Sequence, residues 1–122
     1  MAKVSVVSTE ILANQTQSGE LDLGSSALIA LEFPEGFNGT TITFQSKAKR
    51  TEDLPGGGGL EDWDDVYDSA GNAITWTVGA NRMVVPTAAH AAAMAPLRYL
   101  RIVAGTGQNP TRIIRAILKE GQ

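Results

Sequence analysis

The chain has 122 residues, 43% hydrophobic and 19% charged, which suits one folded domain around one core and argues against disorder. Ten basic residues against 13 acidic ones give a net charge of −3, so the concentrated positive surface that nucleic acid binding requires is missing, and no apolar run approaches the ~20 residues of a membrane helix. With no cysteine in the sequence, disulfides, thiolate metal sites and cysteine nucleophiles are excluded.

Residues 1–9 carry one lysine and no long apolar stretch, so no secretion signal is expected there and synthesis in a cytoplasm is. Ala2 to Gln17 is rich in Ser, Thr and Val without a clear core phase. It reads either as an N-terminal arm that adds a strand to a neighbour or as the first edge strand of the protein's own sheet. Residues 1–17 are set apart on this ground from a β-sandwich domain over 18–122.

From residue 27 onward two-residue alternation dominates, bounded by Gly, Asn, Asp and Pro. Residues 27–33 form an apolar strand stopped by Pro34, Gly36 and Gly39. In 40–45, Ile42 and Phe44 face inward and Thr41 and Thr43 outward. The stretch 47–62 contains Pro55 and four consecutive glycines, Gly56 to Gly59; ordering them is entropically costly, so a long mobile loop is expected. No strand, helix or Lys-Ser/Thr pair frames these glycines as a phosphate cradle.

Asp68 to Asn72 predicts a hairpin turn. It leads to Ile74, Trp76 and Val78 on one face of 73–78, and Gly79-Ala80-Asn81 predicts a second reversal into Met83-Val84-Val85. The alanine-rich segment 87–95, fenced by Pro86 and Pro96, predicts one short helical crossover between sheets. In 98–104, Leu100, Ile102 and Ala104 alternate against Tyr99, Arg101 and Val103. The last segment, 110–119, fits both periods: Asn109 and Pro110 suit a helix start, whereas its β-branched content suits a strand. The pattern as a whole predicts an all-β, single-domain antiparallel sandwich or barrel, and the lack of a strand–helix rhythm argues against a parallel α/β sheet.

Few residues suggest chemistry. The acidic run Glu61, Asp62, Asp64, Asp65 and Asp68 reads as a solvated loop and strand edge, since the spacing of a calcium loop is missing. His90, the single histidine, has no nucleophile or carboxylate at helical spacing. Arg98, Arg101, Arg112 and Arg115 read as solvated positions on two strands. No base, nucleophile or metal set is visible, so no enzymatic activity, metal or cofactor is expected. Among the aromatics with a polar handle, Trp76 is in phase with the core, Trp63 follows the 47–62 loop, Tyr67 lies within the acidic run, and Tyr99 is out of phase with Leu100 and so outward. The candidate contact residues for a protein or glycan partner are Trp63 and Tyr99, the glycines Gly57 and Gly58, and Val4 and Val6 of the N-terminal segment.

Leu21-Asp22-Leu23-Gly24, then Leu28 to Phe33 with Pro34, Thr41 to Ser46, Trp63 to Asp68 with Gly71-Asn72, and Arg98 to Thr106 together resemble small structural proteins of tailed bacteriophages. The resemblance covers residues 18–119, and its motifs are structural rather than catalytic. It implies a β-sandwich of jelly-roll type in which 112–119 is a strand. It also implies a place in the virion, as a capsid decoration or cement protein or a head or tail appendage. Partners would then be other virion proteins, major capsid or appendage proteins, with homo-oligomers formed and neither nucleic acid nor membrane bound. The chain departs from that pattern at 47–62, where the relatives connect more shortly. The Arg98-to-Ile102 strand is also similar, more weakly, to galactose-binding jelly rolls, which implies the alternative of a carbohydrate-binding module for a host receptor.

Overall fold

The computed structural model describes residues 3–47 and 63–120. The chain runs through β1 (Val4–Ile11), β2 (Leu21–Asp22), β3 (Ser26–Glu32), β4 (Thr41–Lys47), β5 (Asp64–Asp65), β6 (Trp76–Thr77), β7 (Met83–Val84), α1 (Ala88–Met94), β8 (Tyr99–Ala104) and β9 (Arg112–Glu120). One sheet has the order β1-β9-β3-β7 and the other β2-β8-β4-β5, with β6 also on β4. Every pairing between these strands is antiparallel. The pairing is nested: β1 with β9, β2 with β8, β3 with β7, and β4 with β5 and β6. These two sheets and one short helix make an all-β sandwich.

Alternation explains the layers. Ile11, Leu28, Leu31, Ile114, Ala116 and Leu118 from the first sheet meet Leu21, Ile42, Phe44, Trp76, Leu100, Ile102 and Ala104 from the second, all buried. Burying a side chain of this size contributes about 1.5–3 kcal/mol, so this interior dominates stability. Leu28 and Leu31 stand three apart, which strict alternation would send to opposite faces. A register shift between Leu28 and Ala30 restores the phase and lets both point inward. Phe44 packs edge-on against Trp76, ring centres 4.9 Å apart, and Phe33 likewise against Phe37 at 4.8 Å.

The turns form where the sequence predicts them. Gly71 has φ +87° and Asn81 φ +62°, the left-handed conformation that glycine and asparagine accept most readily. β5 and β6 share one side of β4, at Gln45–Ser46 and Thr41–Ile42 respectively. The Tyr67–Ala73 bridge closes the turn that interrupts them. The helix lies between β7 of one sheet and β8 of the other, as expected for a crossover. Thr87 caps it by accepting from the His90 N–H, and Met94 anchors it in the core.

Two open readings are resolved and one boundary changes. Within the N-terminal segment, Val4–Ile11 takes the second of the two readings, an edge strand of the protein's own sheet, each of its residues paired with β9. Its core phase sits at the far end, in buried Thr9 and Ile11. Lys47 ends β4 rather than opening a loop; the expected mobile loop otherwise falls at 48–62, outside the described residues. The ambiguous C-terminal segment is a strand, β9, with Ile114, Ala116 and Leu118 inward.

Candidate functional site

Two surfaces present unusual groups. The first is the outer edge of β1. The Lys3 carbonyl accepts from the Glu120 N–H at 2.8 Å, on the β9 side. Backbone groups alternate direction along a strand, so those of Val4, Val6, Ser8 and Glu10 point away from β9. The Glu10 carbonyl fits this phase, accepting from the Gly19 N–H at 3.1 Å. Ser18 forms a bridge to Ile11 there, and the Thr9 hydroxyl donates to the Gly19 carbonyl, so the lower end of the edge is closed. Above Glu10, among the described residues, no strand pairs with this side of β1. Val4 and Val6 are 56% and 57% exposed on the outward face. The sequence reading thus names two residues of a real edge.

The second surface is the outer face of the other sheet. Arg101 on β8 stands opposite Gln45 on β4, and Tyr99 opposite Lys47. Arg101 Nε donates to Gln45 Oε1 at 2.7 Å, and Gln45 Nε2 donates to Asp65 Oδ1 at 2.8 Å. Trp63 takes both cations against its ring: Arg101 at 4.5 Å and Lys47 at 4.8 Å from the centroid. Such stacking contributes about 0.5–1 kcal/mol at exposed sites and more when desolvated. The Lys47 side chain is fully inaccessible and pairs with Glu20 at 2.6 Å, which offsets the cost of burying its charge.

Tyr99 is buried where exposure is expected. Its phase is outward, yet it is only 6% exposed, because an outward phase exposes a ring only where nothing covers the face. Arg98 stacks on the Tyr99 ring at 5.1 Å and forks onto the Asp22 carboxylate. The hydrogen bond to Asp22, then its charge, raise the Arg98 pKa above its ordinary value. The buried Lys47 is the cross-strand neighbour of Tyr99. Tyr67, in contrast, is 56% exposed and lines an open cleft of about 580 Å³ with Asp64, Asp65 and Arg98.

The remaining candidates carry less. Gly57 and Gly58 lie outside the described residues, as do Glu61 and Asp62. Asp68 is committed to its turn, its Oδ1 accepting from the N–H groups of Ala70 and Asn72. No metal-ligating group of three acidic, His or Cys side chains occurs among the described residues, and His90 is half-buried on α1. No described helix is long and apolar enough to cross a membrane. Arg115 pairs with Glu32 at 3.2 Å, and Arg112 donates to the Asn109 carbonyl, so the C-terminal arginines serve local contacts. Comparison with family models, curated proteins and solved structures finds no match.

Proposed function

We propose that the chain is a non-enzymatic structural protein of a tailed-bacteriophage virion, a capsid decoration or cement protein or a head or tail appendage, that assembles onto neighbouring virion proteins. The observation that carries this is the open half of β1. Backbone donors and acceptors beside two exposed valines suit lasting contact with another β protein and supply no group for turning over a substrate. The resemblance of residues 18–119 to phage structural proteins supplies the context, and synthesis in the host cytoplasm followed by incorporation into particles fits it.

The fold proposed is the jelly-roll type. Counting β5 and β6 as one position, the sheet orders become 1-8-3-6 and 2-7-4-5. That is the order produced when one long antiparallel hairpin is folded over itself. Double sheets of this kind build both viral capsid and lectin domains, so the fold suits the proposal without deciding it.

Mass spectrometry of purified particles tests the assignment. The chain is expected in them at a fixed copy number, and its absence would overturn the proposal. One observation favours the alternative, a glycan-binding module: exposed Tyr67 in an open cleft beside Asp64 and Asp65, an aromatic face next to acceptors for sugar hydroxyls. Glycan-array binding lost in Tyr67→Ala would move the assignment there.

A further inference from the structure

We infer that the open half of β1 pairs with β1 of a second copy of this chain, antiparallel, about a two-fold axis through Val6. The inference rests on the assembly role in that it uses the same edge, and it specifies the partner and the register.

The hydrogen-bond phase sets the register. The residues that present N–H and C=O at the open edge are Val4, Val6 and Ser8, because Lys3 faces β9 and Glu10 is already taken by Gly19. A two-fold contact must place one residue opposite its own copy. Centred on Val6, it sets Val6 opposite Val6 and Val4 opposite Ser8, and every edge group of the three residues finds a partner. Centred on Val7 or Ser8, the pairing would require Glu10, whose carbonyl is occupied. Centred on Val4 or Ser5, it would leave Ser8 without a described partner.

The side chains agree with this register. The exposed residues of β1 are the ones whose backbone faces the edge. Val6 has Ile117 beside it on β9, so the two-fold builds a row Ile117–Val6–Val6–Ile117 across two copies. Cross-strand apolar pairs of this kind stabilise a sheet. The stretch Val4–Ser8 carries none of the prolines or charged side chains that blunt exposed edges. The nearest cations on that face, Arg115 and Lys119, stand one strand further in, beside Ser8 and Val4. Two four-stranded sheets would then run on as one. The contact is short, so it belongs among small interfaces, and the dimer is expected to depend on concentration.

Site-directed cross-linking of the full chain tests the register, since the protein has no cysteine of its own. Residues facing each other in a hydrogen-bonded antiparallel pair lie about 5.5 Å apart between Cα atoms, within reach of a disulfide. Val6→Cys is expected to give an oxidised dimer of twice the 12.9 kDa chain mass. Ser8→Cys, offset from its own copy by four positions, is expected to give at least tenfold less. Sedimentation of the unmodified chain should show a monomer–dimer equilibrium. Val6→Pro, which removes one edge N–H, and Val6→Lys, which sets like charges across the axis, should both abolish it while far-ultraviolet circular dichroism stays unchanged. No cross-linked Val6→Cys dimer, or equal cross-linking of Ser8→Cys, would overturn the inference. A chain that stays monomeric in solution yet is present in particles overturns the self-pairing and leaves the assembly role standing. A Val6-centred dimer absent from particles does the reverse.

Discussion

Gln108 and Asn38, seventy positions apart, exchange a pair of hydrogen bonds: Gln108 Oε1 accepts from the Asn38 N–H at 2.9 Å, and its Nε2 donates to the Asn38 carbonyl at 2.8 Å. Nε2 also donates to the Thr106 carbonyl, and the Gln108 carbonyl accepts from the Asn14 N–H. The side chain is completely buried. One buried side chain and its backbone thereby fasten three connections, those after β1, β3 and β8, through the half-buried Asn38 and the exposed Asn14 and Thr106.

Gln108→Ala removes both bonds to the half-buried Asn38 groups and the bond to Thr106, each worth about 1 kcal/mol net. We expect a loss of about 3 kcal/mol in chemical denaturation. Gln108→Glu should cost at least as much at neutral pH, because it keeps the acceptor but loses the donor and buries a charge. A variant within about 0.5 kcal/mol of the unchanged protein would show that the clamp is redundant.

Tyr99 separates binding from folding. A ring 6% exposed beneath Arg98 behaves as interior, so Tyr99→Ala is expected to cost about 3 kcal/mol or more, lowering Tm by about 10 °C for a domain of this size. Tyr67→Ala, at an exposed position, should stay within about 0.5 kcal/mol. Thermal scans of the two variants side by side check this, and equal Tm values would mean that Tyr99 is not packed as described.

Asp68 is expected to act through its turn. Its Oδ1 accepts from two backbone N–H groups, so Asp68→Ala should destabilise by about 1 kcal/mol, the usual worth of such a bond, and Asp68→Asn, which keeps an acceptor, by less. Millimolar calcium should leave Tm unmoved. A rise of several degrees with calcium would revive the acidic run as a cation site.

Much of this architecture is visible in local periodicity. Ile42 with Phe44, Ile74 with Trp76 and Val78, and Leu100 with Ile102 and Ala104 are inward by alternation and buried in the fold. The last strand is not decidable locally, because Ile113 and Ile117 are apolar on the outward face while Ile114 and Leu118 are inward, and apolar residues on both faces satisfy a helical period as well. Leu28 and Leu31 conceal a register shift that no two-residue pattern contains. Of the candidate contacts, Val4 and Val6 lie exposed on the edge strand, a position that β-branched residues without a core phase signal in sequence. Tyr99 misleads because its cover comes from Arg98 and from the environment of Lys47, contacts set by tertiary folding. Gln108 gives no local signal, since both of its main partners lie on other connections.

Trp76 sets two effects against each other. The indole fills the core against Phe44, but its buried Nε1 has no acceptor among the described residues. An orphaned buried donor costs about 1–3 kcal/mol, and trimming the ring to phenylalanine removes that cost along with some packing, a loss of about 1–3 kcal/mol for a vacated space of a few atoms. The two nearly cancel, so Trp76→Phe is expected within about 1 kcal/mol of the unchanged protein, whereas Trp76→Ala should lose about 3–5 kcal/mol. Equilibrium unfolding followed by circular dichroism resolves both. A Trp76→Phe variant as damaged as Trp76→Ala would mean that the indole nitrogen finds a partner after all, and that this bond rather than ring volume holds the strand at Ile42.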